Sequence, residues 1–489
     1  MASTPHPTDH PPRALTDTTV DVVVLGAGPT GENVADYAHR GGLSVVLVEP
    51  ELVGGECSYW ACMPSKALLR PVQALAAARS VEGASQAVTG ELDVEAVLAR
   101  RDSFTSGWDD AGQVGWVEDT GIGLVRGTGR LAGDKRVEVT GPDGDAVVLT
   151  ARHAVVVCVG TAAALPPVEG LAEARPWTSR DATSAKEAPE RLVVVGGGVV
   201  GCEMATAWSA LGAREVTVLQ RGERLLPGVE PEASARVLQA LRERGIEVRL
   251  GAGLERVERD GDGSVRLTVD GEVLEADEVL VATGRRPRTE GIGLAGLGLP
   301  EGYLETDDSL RVTGVEGGWL YAAGDCTGRA LLTHQGKYQA RVCGEVIAAR
   351  ARGEVVEPQR WSRFAATADH DAVPQVVFTD PQVAAVGLDE QAARDRGLSV
   401  VTAEHELGQV AGAALAADGY SGWAKLVVDA DRRVVVGATF VGPDVAELLH
   451  SATVAVVGQV PLDRLWHAVP AYPTVSEVWL RLLDALPRD

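Results

Sequence analysis

The sequence predicts an α/β protein: two Rossmann-like units followed by a C-terminal α+β module. Three observations carry that expectation. A short β-branched run, a glycine-rich turn, a helix and a second apolar strand follow one another near the start of the chain; the same order recurs 170 residues later; and beyond about residue 366 the glycine pattern is absent. With 489 residues the chain has room for about three domains.

The first unit runs from Asp21 to Leu25 as a strand, through Gly26-Ala27-Gly28-Pro29-Thr30-Gly31, along a helix to Arg40, and into the apolar run Ser44 to Val48, closing on Glu49. Its glycines have separate jobs: a tight turn, room for the backbone to approach a pyrophosphate, and close packing of helix on strand. The helix N-terminus then faces the phosphates. Glu49, 18 residues after the last glycine, can accept from a ribose hydroxyl. The second unit reads Leu192 to Val195, Gly196-Gly197-Gly198-Val199-Val200-Gly201, a helix, and the strand Glu215 to Leu219. Two in-register copies point to two bound dinucleotides, the bland alternative being two βαβ units with empty turns. Further on, Val373 to Phe378, Ser399 to Ala403, Ala424 to Val428 and Val434 to Val441 read as strands alternating with helices, and Arg350 to Ser362 reads as a linker.

Charge narrows the function. Lys and Arg number 45 against 69 Asp and Glu, a net charge of −24, so nucleic acid and anionic membrane surfaces are not the expected partners. The most apolar stretch, Leu192 to Ala213, carries Gly196, Gly197, Gly198 and Glu203 and reads as a buried strand and helix rather than a membrane span. The first residues, rich in Pro, Thr, Asp and His, lack the basic start and apolar core of an export signal, so a flexible leader over 1–19 and a cytoplasmic location are expected.

Of six cysteines, only Cys57 and Cys62 lie close in sequence. On a regular helix five steps would leave the two side chains roughly 140° apart, whereas a disulfide needs Cα atoms within about 7 Å. A bridge therefore requires an irregular first turn. Pro64 suits a helix start, where a cysteine gains thiolate character. A metal site and two unrelated buried thiols are the rival readings, although no other Cys or His pair supplies zinc-like spacing. Cys158, Cys202, Cys326 and Cys343 sit in apolar or glycine-rich runs and read as core.

With these pieces in order, the chain resembles the flavoprotein disulfide reductases, the pyridine nucleotide-disulfide oxidoreductase family of dihydrolipoamide dehydrogenase and mercuric reductase. The likeness is carried by the first glycine unit with Glu49, Gly54 to Lys66 with its Cys-Ser-Tyr-Trp-Ala-Cys, the second unit with Glu203, Val281 to Pro287, Tyr321 to Asp325, Phe378-Thr379-Asp380-Pro381 and Pro473 to Glu477. The resemblance implies an FAD domain split over 20–165 and 287–350, an NAD(P) domain over 166–286 and a dimerisation domain over 366–489, hence a homodimer. It further implies that Gly26, Gly28, Gly31 and Glu49 hold the ADP part of FAD, that Asp325 after Gly324 holds the ribityl chain, and that Gly196, Gly198, Gly201 and Gly284 line the nicotinamide dinucleotide. By the same likeness Cys62 lies against the flavin, Cys57 is the interchange thiol, and Lys66 and Glu203 form an ion pair near flavin N5.

Two departures shape the expected activity. At the end of the second strand, NAD-selective sites usually place an acid; here Gln220 is followed by Arg221 and Arg224. Arginines there favour a 2′-phosphate, so NADPH is the expected cofactor, with NADH as the alternative. Val199 stands where some relatives place a gating tyrosine, implying a more open nicotinamide pocket. Second, the family's His-Pro-Thr reads Tyr472-Pro473-Thr474, with Glu477 kept. A phenol ordinarily keeps its proton to about pH 10 and so accepts one poorly at neutral pH. His467, five residues upstream, reads as packed rather than as a substitute base.

Tyr-Pro-Thr is similar to the soluble transhydrogenases, but those lack the second cysteine. Mercuric reductase relies on a further cysteine pair near the C-terminus, and Leu483 to Asp489 contains none. The expected activity is therefore electron transfer from NAD(P)H through FAD to a Cys57–Cys62 disulfide and on to a disulfide or small-molecule acceptor. Catalysis would rest on Cys57, Cys62, Lys66, Glu203, Tyr472 and Glu477, with no metal. Flavin-only transhydrogenation or quinone reduction is the alternative, and a redox-sensing or lipoyl-complex scaffold the non-enzymatic one.

Overall fold

The computed structural model describes residues 18–261 and 263–487. Residues 1–17 of the expected leader lie outside these, and Thr18 and Thr19 already belong to the first strand. The chain divides into two compact bodies. One holds the described residues up to Pro64 with 102–162 and 285–370; the other holds 65–101, 163–284 and the described residues from 371 onward.

The first body is built on a seven-stranded sheet. Its strands are β1 (Thr18–Leu25), β2 (Val45–Glu49), β3 (Gly123–Arg126), β4 (Thr128–Leu131), β5 (Arg136–Thr140) and β6 (Ala146–Val157), in the order β3-β2-β1-β6-β5-β4, with Leu320–Ala322 added against β6. The pairs β1–β2, β1–β6, β2–β3 and Leu320–Ala322 with β6 are parallel, while β4 and β5 continue antiparallel. Strands covered on both faces read as unbroken apolar runs, and β1 does: Val22 and Val24 face one core with Val34, Ala35 and Ala38, while Val23 and Leu25 face another. Those three residues belong to the helix α1 (Pro29–Arg40), which begins with proline in its first turn and turns its small apolar side chains to the sheet.

The second body contains a four-stranded parallel sheet in the order Glu247–Leu250, Glu215–Gln220, Arg191–Val195, Glu278–Val281. Beside it are a three-stranded antiparallel sheet over Leu254–Arg259, Val265–Val269 and Glu272–Ala276, and a five-stranded antiparallel sheet. In the last, Pro374–Val377, Val400–Glu406, Trp423–Asp429 and Val434–Gly442 correspond to the four strands read from sequence. Gln382–Gly387 is the strand that reading misses, because two alanines at its centre dilute the β-branched signal. The expected linker also starts late, since the helix Thr333–Ala351 takes in its first two residues. Among the described residues no helix is long and apolar enough to cross a membrane.

Candidate functional site

Cys57 lies in the short helix α2 (Gly55–Tyr59), and Cys62 opens α3 (Cys62–Arg79), with Trp60 at φ −136° interrupting the helix between them. That interruption is the irregular turn a close pair requires, because it frees the two side chains from the 100° step of a continuous helix. Both are free thiols. Cys57 is hydrogen-bonded to Cys62; that bond first and burial second push the Cys57 thiol well above its ordinary range, with Thr333 and Lys337 opposing. Cys62 Sγ lies 3.1 Å from Thr333 Oγ1, at the first residue of the helix Thr333–Ala351. Sequence reasoning misses Thr333, whose one local signal is a threonine opening a long helix.

In the second body, Lys66 Nζ meets Glu203 Oε2 at 2.7 Å, with side chains 35% and 3% exposed. Glu203 sits in the helix Val199–Ala210, and its other oxygen accepts the Phe378 N–H at 2.9 Å. The Lys66 ammonium lies 4.9 Å from the Phe378 ring centroid. One buried carboxylate thereby holds both a lysine and the start of the Phe378-Thr379-Asp380-Pro381 stretch.

The first glycine turn is shaped for a dinucleotide. Gly26 has φ +97°, and a Cβ there would run into the Cys158 carbonyl; a Cβ at Gly31 would strike the Gly26 carbonyl. At Gly28, by contrast, a Cβ would meet only Gly55 Cα at 3.9 Å. The middle glycine opens onto free space at the start of α1, whose N-terminus has no side-chain cap, and unpartnered N–H groups at a helix start suit a pyrophosphate. Glu49 accepts from Ala27 N–H on Oε2 at 2.7 Å and from Glu51 N–H on Oε1 at 2.9 Å. Each oxygen keeps a lone pair for a ribose hydroxyl. Burial raises its pKa, against those two bonds. Asp325 Oδ2 accepts from Thr161 Oγ1 at 2.9 Å, and Arg285 Nε donates to the same Thr161 hydroxyl at 2.6 Å. Burial pushes the Asp325 carboxyl upward, with Thr161 and Arg285 opposing. These residues fit an FAD laid from the glycine turn to Asp325.

The second turn repeats the geometry: a Cβ at Gly196 would strike the Ala282 carbonyl, one at Gly201 the Gly196 carbonyl, and one at Gly198 nothing within 4 Å. Gly284, at φ +142°, is equally open. Gln220 Oε1 accepts the Gly197 N–H at 2.9 Å and its amide donates to the Arg224 carbonyl at 3.1 Å. The Arg224 guanidinium is turned onto the carbonyls of Val229 and Pro227, at 3.2 and 2.7 Å. Arg221 is exposed. The two arginines, alike in sequence, are thus put to different uses. Val199 is exposed.

Near the C-terminus, Tyr472 is 76% exposed, whereas Glu477 is 7% exposed with Oε2 buried and without a partner among the described residues. His467 is not packed, as the sequence suggests, but exposed in the turn after the helix Leu462–Leu465, because the apolar residues around it belong to a chain segment that leaves the core there. Cys202, Cys326 and Cys343 are fully buried and Cys158 nearly so, in keeping with a core role.

The family model described as pyridine nucleotide-disulphide oxidoreductase matches residues 20–351, and that of the same family's dimerisation domain matches 373–482. A dihydrolipoyl dehydrogenase of Chlamydia muridarum is 32% identical over 94% of this chain and 95% of its own length. A mercuric reductase of Staphylococcus aureus is 32% identical over 94% of this chain and 80% of its own. Among solved structures, LpdA from Mycobacterium tuberculosis superposes with a TM-score of 0.81 at 26% identity, covering 96% of this chain and all of that one.

Proposed function

The chain belongs to the pyridine nucleotide-disulphide oxidoreductases, enzymes dependent on FAD and a pyridine nucleotide, and on that premise we propose that it carries electrons from NADPH through FAD to the Cys57–Cys62 pair and on to a disulfide. The observation that carries the reading is the Cys57–Cys62 hydrogen bond across the break between α2 and α3, with Cys62 held against Thr333. FAD, when bound, supplies the two-electron link between nicotinamide and sulfur. The chain's own residues do the rest. The glycine turns receive the two pyrophosphates, Glu49 and Asp325 accept from FAD hydroxyls, and Lys66 is fixed by Glu203. Cys57, once deprotonated, attacks the acceptor disulfide and expels one thiolate. Cys62 then attacks the Cys57 sulfur, expelling the second thiolate and closing the bridge.

NADPH is favoured by a neutral Gln220 whose carbonyl is occupied by Gly197, and by the exposed Arg221. A homodimer is supported by the dimerisation-domain match and by the apolar side chains Leu415, Val454, Val469 and Tyr472 left on the surface of that domain. A second reading, direct transfer to a quinone or a second nicotinamide with the thiols dispensable, is favoured by one observation: among the described residues no proton acceptor is hydrogen-bonded to the buried Oε2 of Glu477. Disulfide turnover separates the two: the first reading predicts turnover by the parent that Cys57→Ser abolishes, the second predicts negligible disulfide turnover by the parent beside quinone reduction that Cys57→Ser leaves intact.

A further inference from the structure

Asp369 lies in the short helical turn Ala368–Asp371, with its side chain only 1% exposed. Three donors converge on it. Oδ1 accepts from Gln335 Nε2 at 2.9 Å; Oδ2 accepts from Gln339 Nε2 at 3.0 Å and from Arg329 Nε at 2.9 Å. Gln339 in turn accepts the Gly324 N–H on Oε1 at 2.7 Å. Gly324 is held at φ +80°, and a Cβ there or at Gly336 would collide with Thr30 in the first turn of α1. The start of α1, the Gly324 turn and the start of the helix Thr333–Ala351 therefore meet at one point, and Asp369 ties the last two together. Arg329 is anchored as well, to Asp308 at 2.8 Å and to the Asp307 carbonyl at 3.1 Å.

A carboxylate suits this place because it offers acceptors only, whereas an asparagine would turn an NH₂ toward at least one of three donors. Burial raises the Asp369 pKa, with Arg329, Gln335 and Gln339 opposing.

We infer that Asp369 is a positioning residue of the FAD site: through Gln339 and the Gly324 N–H it sets the turn that presents Asp325, while its own oxygens are taken up by protein donors. This rests on the reading of Asp325 as an FAD ligand. Loss of the positioning should show as faster FAD release, which a merely structural carboxylate would not change.

The test measures FAD release from diluted holoenzyme by the recovery of free-flavin fluorescence, with thermal melting in parallel. Asp369→Asn is expected to release FAD at least fivefold faster than the parent. Gln339→Met, which removes the Gly324 contact and leaves Asp369 in place, is expected to do the same. Release within twofold of the parent in both variants overturns the inference, whatever happens to the melting temperature. Asp325→Asn tells the two failures apart. If it too releases FAD at the parental rate, the reading of Asp325 falls and this inference with it; if it releases FAD faster while the other two do not, only the inference falls.

Discussion

The side-chain carbonyl of Gln220 accepts the Gly197 N–H at 2.9 Å, so the residue at the end of the second nucleotide strand is turned back onto the glycine turn. An acid in that place would repel a 2′-phosphate; the amide does not. Beyond it, Arg221 is free to reach a phosphate, while Arg224 is held on the carbonyls of Val229 and Pro227. Arg221→Ala should lower kcat/KM for NADPH about tenfold or more and leave NADH nearly unchanged, since a charge-assisted hydrogen bond contributes roughly 1.5–3 kcal/mol. Arg224→Ala should lower the melting temperature and change cofactor preference less. Steady-state kinetics with both nicotinamides checks both.

Glu203 joins Lys66 to the Phe378 backbone. Glu203→Leu strands a lysine and a backbone N–H together. It should cost about 1–3 kcal/mol of stability and slow flavin reduction by NADPH about tenfold or more. Denaturant unfolding and stopped-flow absorbance measure the two effects.

Glu32, in the first turn of α1, has one carboxylate oxygen buried without a partner among the described residues. Burial lifts its pKa from 4.5 to about 7, with Lys337 opposing and Glu49 adding to the rise. The folded state therefore holds this proton more tightly than the unfolded one. The stability it contributes is complete below about pH 4.5 and is lost as pH rises through about 7. Glu32→Gln, which mimics the protonated acid, should raise the melting temperature at pH 8 and change it little at pH 4.5. The gain is bounded by about 3 kcal/mol, the worth of a shift of this size. Melting curves at the two pH values check the sign.

Tyr472 is exposed, and Glu477 keeps a buried oxygen without a partner among the described residues. Tyr472→His would place a proton acceptor where the phenol stands. Positioned general bases contribute about 10²–10⁴-fold, so turnover of a small disulfide should rise at least tenfold, with NADPH-dependent quinone reduction unchanged. Parallel assays with lipoamide and a benzoquinone report it.

The sequence was most legible where backbone geometry leaves a mark on residue choice. Gly26 and Gly31 each face a carbonyl that a side chain would strike, so glycine is written into both places, and the fold around them could be read from letters alone. The need for a break between Cys57 and Cys62 followed from helix geometry, and Trp60 supplies it. Contacts between distant segments were not legible. Nothing local to Asp369 announces that it binds Gln335 and Gln339, more than a helix length away in sequence. Nor does the Arg221 to Arg224 loop reveal which guanidinium is turned inward, because that depends on carbonyls exposed by the turn at Pro227.

The central claim is that reducing equivalents reach the acceptor through Cys57 and Cys62. Anaerobic titration of the holoenzyme with NADPH, followed at long wavelength, tests it most directly. The account predicts a thiolate-to-flavin absorbance that grows with the first equivalent and is lost in Cys62→Ser. Bleaching of the flavin with no such band, identical in parent and variant, would contradict it.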